Sequence, residues 1–416
     1  MDRLKDKVSN KLSEEITKAY KQGHHIADLV VSNPYKNDMC IFIEEHPKIE
    51  IGEGGSGIAY KINIEGKFYI IKEIQSESFT YRGNFFGTEE TLYHLTQYVG
   101  KKLNIDPDLL LYINGGDKNE KTDILIVPSY MINCVVESDR VENGLKLNKG
   151  DYFCDEMYTE YLIGLLAAKI RRDGKSPHFI DVFDMIICPS LGDKSSKIYT
   201  FMEYIDILDD DDTKSCVIPT STNIAIFHSL YLLQKQKINH NDLHTGNIFV
   251  ERIKNDTIYN GVKLVDYDYF EYRYNGKSVY IPRPDCMIRI GDFGYSCKYD
   301  NPKILSNAVI NKEFDTVPNV YNTCYDLILY LFASSMTPYK FNNMFKFALG
   351  KYIDLSKGVL EEFHYEHPDG RLTDKDIDDD LKFKIFKTPE EMLDYHGFDE
   401  LRKKPNGKIL LIATDE

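Results

Sequence analysis

Between Lys48 and Ile74 the chain reads strand, glycine-rich turn, strand, turn, strand, and nothing else in it restricts the fold as much. Ile49–Ile51 is a short apolar strand, Gly52-Glu53-Gly54-Gly55-Ser56-Gly57 is the turn, and Ile58–Ile64 is a second strand. Glu65-Gly66-Lys67 then turns the chain into a third, Phe68–Ile74. Glycines let backbone N–H groups approach and wrap an anion such as a phosphate without side-chain clash. The spacing Gly-x-Gly-x-x-Gly also opens the helix of dinucleotide-binding folds. Here a strand follows instead, so the turn belongs to a hairpin that lies over what it binds.

Lys72 closes the apolar run Tyr69-Ile70-Ile71-Lys72. A lysine at the inner end of an apolar strand is costly unless paired, so a carboxylate partner is expected. The helix Tyr158–Ile170 offers one. Tyr158, Tyr161, Leu162, Leu165 and Ile170 form an apolar stripe at helical spacing. Glu160 shares a face with Ile163, Gly164 and Ala167, small enough to approach a sheet closely. Glu89 and Glu90 are the rivals, being nearer in sequence. Between these stretches, residues 75–155 hold a helix (Thr88–Leu103), a polar turn at Asn114-Gly115-Gly116-Asp117 and a strand, Ile124–Val127, with no legible chemistry.

The third stretch is Ile238-Asn239-His240-Asn241-Asp242-Leu243-His244-Thr245-Gly246-Asn247-Ile248-Phe249-Val250. It sets one carboxylate and one neutral oxygen ligand five residues apart in a polar loop. A helix, Thr222–Gln236, capped by Pro219-Thr220-Ser221 and buried through Ile224, Phe227, Leu230 and Tyr231, delivers it. Beyond Asn247 two aspartates compete as a second acidic ligand. Asp266 is nearer, in Lys263-Leu264-Val265-Asp266-Tyr267-Asp268; Asp292 opens Asp292-Phe293-Gly294 after an alternating strand. Tyr269–Ile281, with Asn275-Gly276 at its centre, is a β-hairpin between them. Phe293 can pack inward and Gly294 can turn the backbone sharply, which favours Asp292.

His240-x-Asp242-x-x-x-x-Asn247, the glycine-rich hairpin, the strand lysine and Asp292-Phe293-Gly294 together resemble protein kinases. The inserted hairpin followed by Asp-Phe-Gly-Tyr-Ser, the segment Ser176-Pro177-His178-Phe179, and the insertion before Glu160 resemble the serine/threonine kinases of large cytoplasmic DNA viruses, of iridovirus, marseillevirus and mimivirus type. The resemblance runs from about Lys48 to about Phe332. It implies an α+β, two-lobed fold with a β-rich N-lobe and a mostly helical C-lobe, with insertions. Residues 1–46, with a helix Leu4–Tyr20, would be an N-terminal extension. Residues 47–204 would be the N-lobe, with its insertion at about 75–155. Residues 205–416 would be the C-lobe, with its inserted hairpin at about 266–287 and helices from 334 onward, one starting at Pro389-Glu390-Glu391.

The same resemblance implies ATP as phosphoryl donor and Mg²⁺, or Mn²⁺, as its metal. Asp242 would orient and deprotonate the acceptor, and Asn247 and Asp292 would hold the metal. Lys72 with Glu160 would position the α/β-phosphates, and Gly52, Glu53, Gly54, Gly55, Ser56 and Gly57 would cover them. Ala59 and Ile70 would touch adenine, where the family more often has Val and Ala. Lys197–Tyr204 would be an edge strand ending in the hinge, with Met202 as gatekeeper and the backbone of Glu203–Ile205 on adenine. Asp326, on the helix Tyr321–Ala333, would bond the catalytic-loop backbone. Asn241 stands where kinases regulated by phosphorylation carry Arg. No Ala-Pro-Glu follows the Asp-Phe-Gly. His244 stands where Ser/Thr kinases place a lysine, as in aminoglycoside-kinase-like loops, so a small-molecule phosphotransferase stays open, and so does a catalytically dead virion scaffold.

Composition sets the outer bounds. The chain has 416 residues, 42% hydrophobic and 28% charged, the balance of an ordinary globular protein. A net charge of −15 argues against nucleic acid or an anionic membrane as partner. It leaves protein substrates, with the acidic run Asp209–Asp212 favouring basic ones. The first residues are too polar for a signal peptide, and no run is long enough to span a bilayer. Eight scattered cysteines without a Cys-x-x-Cys pair suggest reduced thiols in a cytoplasmic setting, host cytoplasm or virion for a viral protein.

Overall fold

Alternation of buried and less buried residues marks the β-structure of this protein, and it is clearest in the strands Tyr269–Tyr274 and Lys277–Pro282. The computed structural model describes residues 37–54, 57–64, 66–76, 78–82, 91–103, 107–121, 124–128, 140–142, 145–147, 153–154, 156–189, 196–208, 219–299, 305–306, 323–334, 347–348 and 387–416. The expected helix Leu4–Tyr20, Gly55, Ser56, Glu89, Glu90 and Asp209–Asp212 lie outside the described residues. The chain divides into two compact units, with one change from the first to the second falling between Tyr204 and Ile205.

The first described elements of the first unit are helix α1 (Asn37–Glu45) and three strands, β1 (Lys48–Gly54), β2 (Gly57–Ile64) and β3 (Lys67–Ser76). Next come β4 (Ser78–Arg82), α2 (Leu92–Leu103), α3 (Pro107–Ile113) and β5 (Ile124–Pro128), then helix α4 (Glu156–Arg172), β6 (Val182–Pro189) and β7 (Ser196–Glu203). Only the part of α4 up to Leu162 belongs to this unit. A five-stranded antiparallel sheet runs β1-β2-β3-β7-β6. The expected edge strand at Lys197–Tyr204 is therefore corrected: β7 is interior and β6 takes the edge. Ile198, Tyr199 and Phe201 of β7 are fully buried, while Met202 is only partly so.

One face of this sheet closes over a core of Ile62, Ile64, Tyr69, Ile71, Phe183, Ile186, Tyr199 and Phe201 with Phe42 and Ile43 of α1. Within it Cys40 and Cys188 form a disulfide, their Cα atoms 5.4 Å apart. This corrects the expectation of reduced thiols throughout. The partners are 148 residues apart in sequence, and only the packing of α1 on β6 brings them together. Cys297 and Cys324 are buried thiols. In α2 the buried residues Leu92, Leu95 and Val99 repeat at helical spacing, so the helix begins a turn later than Thr88.

The second unit contains Ile163–Arg172 of α4, then α5 (Pro219–Lys235), β8 (Ile248–Arg252), β9 (Tyr269–Tyr274), β10 (Lys277–Pro282) and β11 (Cys286–Ile290). It ends with α6 (Tyr325–Ser334), α7 (Pro389–Leu393) and β12 (Ile409–Thr414). Helix α5 starts at Pro219, whose missing N–H costs nothing in a first turn, and it is buried on every side from Ile224 to Leu233. The hairpin β9–β10 turns at Asn275 (φ 50°) and Gly276 (φ 72°), the two positive-φ positions that a two-residue turn of this hand needs.

Of the expected C-terminal helices, the one starting at Pro389 is present as α7, with a capping box at Thr388 and Glu391, and a 3-10 turn, His396–Arg402, follows it. Among the described residues the correction falls at Ile409–Thr414, which is a strand. Ile409-Leu410-Leu411-Ile412 is too short and too uniformly apolar for an amphipathic helix. It pairs parallel with β9, giving the sheet order β10-β9-β12. Among the described residues no helix is long and apolar enough to cross a membrane.

Candidate active site

In the first unit the candidate residues lie on the face of the sheet opposite its core. Residues directly opposed on adjacent strands point to the same side. Ala59 of β2, Lys72 of β3 and Thr200 of β7 form one such row, and Lys61, Ile70 and Met202 form the next. Four of the residues singled out in the sequence, Ala59, Ile70, Lys72 and Met202, thus share one patch. Lys72 Nζ donates to both carboxylate oxygens of Glu160, each at 2.9 Å. Both side chains are largely buried, at 12% and 7% exposure, so the pair is shielded from the screening that weakens surface ion pairs. Glu203 is half-buried at the end of β7 and pairs with Tyr69.

The glycine-rich turn is closed by the pairs Glu53–Ile58 and Gly54–Gly57, and a bulge between Glu50 and Gly52 shifts the register ahead of it. Gly57 has φ 140°, and a Cβ there would come within 2.4 Å of the Glu73 carbonyl oxygen, so no other residue fits. Around Gly52 there is open space, which suits a loop that must leave room above it. One neighbour escaped the sequence reading. Lys61 lies over the rings of Phe68 (4.1 Å) and Tyr204 (3.9 Å), beside Ile70 and Met202. Its period-two spacing from Ala59 was the available signal.

In the second unit the loop after α5 is held from below by one carboxylate. The backbone N–H groups of His240 and Asn241 donate to Asp326 at 2.8 and 2.7 Å. Burial raises the pKa of Asp326, against the two N–H bonds, which favour its charged form. Asn241 has φ 65°, and its Nδ2 donates to the Tyr295 carbonyl (2.9 Å) and reaches the Tyr299 hydroxyl (3.5 Å). Nε2 of His240 is bonded to the Gly291 carbonyl oxygen at 3.0 Å, and its ring meets Phe293 at 5.0 Å. The short pair Ile238–Asn239 and Cys297–Lys298 ties the two segments again.

This packing orders the Asp-Phe-Gly segment beside the loop. Phe293 is buried, while Asp292 is half-buried with φ 58°. The sharp turn assigned to Gly294 is therefore taken by Asp292, since Gly294 is not among the positive-φ residues. Asp266, the rival, is exposed at the end of a 3-10 turn ahead of β9, and Asp268 caps the Lys408 amide at 2.9 Å. Ile205 is buried just beyond β7.

Asp242 lies in the same loop as Asn247. Asn247 Nδ2 donates to the Asp242 carbonyl at 2.8 Å and reaches its Oδ2 at 3.3 Å. That fixes the carboxamide with nitrogen toward Asp242 and leaves its oxygen for other work. A hard divalent cation such as Mg²⁺ prefers neutral and anionic oxygen donors, which Asn247 and Asp292 supply. His244 lies 3.6 Å from Asp242 through Nε2. Compared with known protein families and with curated proteins, the chain matches none.

Proposed function

We propose that this chain is an ATP-dependent protein kinase with a two-lobed kinase fold, in which the first unit supplies one lobe and the second unit, which takes in Ile163–Asp181 as well as the chain from Ile205, supplies the other. The observation that carries the reading is the buried Lys72–Glu160 pair, made across 88 residues of sequence. A lysine that merely caps a surface strand would be solvated. In kinases the lysine on the third strand pairs a helix glutamate and the nucleotide phosphates, and Lys72 stands on β3. The clamp of Asp326 on the loop of Asp242 and the resemblance of the sequence motifs to large-DNA-virus kinases support the same reading.

In this mechanism Asp242 accepts the proton of a serine or threonine hydroxyl as the acceptor oxygen bonds to the γ-phosphorus. The bond from that phosphorus to the β,γ-bridging oxygen breaks, and its electron pair leaves with ADP. Lys72, oriented by Glu160, sets the α/β-phosphates, and the turn from Gly52 to Gly57 covers them. Asn247 and Asp292 would hold Mg²⁺, which supplies charge neutralisation at the phosphates when bound.

A second reading, transfer to a small molecule, is favoured by His244 in the place of a lysine. Purified protein with Mg²⁺ and γ-labelled ATP, offered basic proteins, acidic proteins and small amino alcohols, separates the two. Label on serine or threonine of a protein is the expected result. Label on amino alcohols alone would establish the second reading, and no label anywhere would favour a scaffold.

A further inference from the structure

Two contacts fix what the ring of His244 can do. The amide N–H of Gly246 donates to its Nδ1 at 3.0 Å. A backbone N–H only donates, so Nδ1 carries no proton, and the neutral ring holds its hydrogen on Nε2. That Nε2 faces Oδ2 of Asp242 at 3.6 Å. Nδ2 of Asn247 approaches the same Oδ2 at 3.3 Å. Two N–H groups thus face the same carboxylate oxygen. Gly246 is part of the arrangement. A Cβ there would come within 2.8 Å of His244 Cε1, so a larger residue would push the ring off the amide.

We infer that His244 is a positioning residue that orients Asp242 by presenting Nε2–H to its carboxylate as a neutral ring, rather than a cation standing in for a lysine. The inference rests on the kinase reading above. The bland alternative is that the imidazole only caps the 3-10 turn Thr245–Asn247. The two make opposite demands on the side chain. Asparagine places an amide oxygen near the position of Nδ1 and keeps the cap. Glutamine places an amide nitrogen near the position of Nε2 and keeps the donor to Asp242.

Two measurements on the full chain test this. Imidazole ¹⁵N spectra, with His244 assigned from His244→Gln, are recorded for the wild type and for Asp242→Asn. A bare Nδ1 and a protonated Nε2, whose resonance moves in Asp242→Asn, are expected. In phosphoryl transfer, His244→Asn should lose about tenfold or more in kcat at an unchanged KM for ATP, while His244→Gln stays within about threefold. Gly246→Ala, which keeps the imidazole but displaces it, should fall as His244→Asn does. A proton on Nδ1, an Nε2 resonance indifferent to Asp242→Asn, or an active His244→Asn beside a dead His244→Gln would overturn the inference. If the wild type transfers no phosphoryl group, the kinase reading fails, and the spectra alone still decide whether His244 donates to Asp242.

Discussion

A histidine sealed from water stays neutral only at the expense of acid stability, and His178 and His228 of the second unit are such residues. His178 is stacked on Tyr272, bonded through Nε2 to its hydroxyl (2.9 Å) and through Nδ1 to the Ile288 carbonyl (3.1 Å). His228 is fixed to the Arg273 carbonyl at 2.9 Å. Burial pushes the first down to about 3 and the second to about 4, from an ordinary 6.5, in each case against a backbone hydrogen bond that raises it. Both folded values lie below the unfolded one, so the unfolded chain binds protons that the folded chain refuses. Stability is unaffected above about pH 6.5 and falls as pH drops toward the folded values, by about 1.4 kcal/mol per pH unit for each ring. Denaturant melts at pH 7.5, 6 and 5 check this, and the midpoint should drop steeply below pH 6.5. A midpoint flat down to pH 5 would mean that the rings are hydrated. At this scale the sequence was informative where burial carries a penalty, as for Lys72, whose need for a partner could be foreseen. It was silent about Gly246, because nothing local says that an imidazole will fold back onto the next-but-one amide.

Elements were legible where their signal is local. The Asn275-Gly276 turn announced the β9–β10 hairpin, and the glycine-rich turn announced β1 and β2. Strand β12 and the disulfide were not legible, because their partners lie far away in sequence and short apolar runs suit helix or strand alike. The hairpin also bears on which aspartate serves the metal. Asp266 sits exposed at its base, whereas Asp292 follows the buried strand β11 and precedes buried Phe293. Asp292→Asn should therefore abolish transfer and steepen the Mg²⁺ requirement, while Asp266→Asn should turn over normally. A Mg²⁺ titration of both mutants decides it, and an active Asp292→Asn beside a dead Asp266→Asn would reverse the assignment. The segment after Asp292 makes a further prediction about regulation. Asn241, a neutral amide in the place of a phosphate-pairing Arg, already bonds the Tyr295 carbonyl, and Ser296 Oγ donates to the His240 carbonyl at 3.1 Å. No phosphate is needed to order this contact, so phosphatase treatment should leave the rate within about twofold. A tenfold fall, restored by autophosphorylation, would contradict it.

At the scale of the whole molecule, each unit is built around one cluster: a sheet face carrying Lys72 with Glu160, and a loop carrying Asp242 with Asn247 under the hold of Asp326. The mixed α+β class followed from the order of apolar strands and helices. The edge and interior places of β6 and β7 did not, since strand order is set by long-range pairing. The net charge of −15 adds that positively charged protein substrates should be drawn in at low ionic strength. The proposed kinase activity depends above all on Asp242. If this carboxylate serves the acceptor hydroxyl and not the nucleotide, Asp242→Asn should separate the two functions. The deciding measurement takes wild type and Asp242→Asn side by side, scoring label transfer from γ-labelled ATP to protein and, by calorimetry, ATP affinity in Mg²⁺. At least a hundredfold loss of transfer is expected, with ATP affinity held within about threefold because no nucleotide contact is removed. Transfer that survives in the mutant, or an ATP affinity that falls as far as the rate, would contradict this role for Asp242.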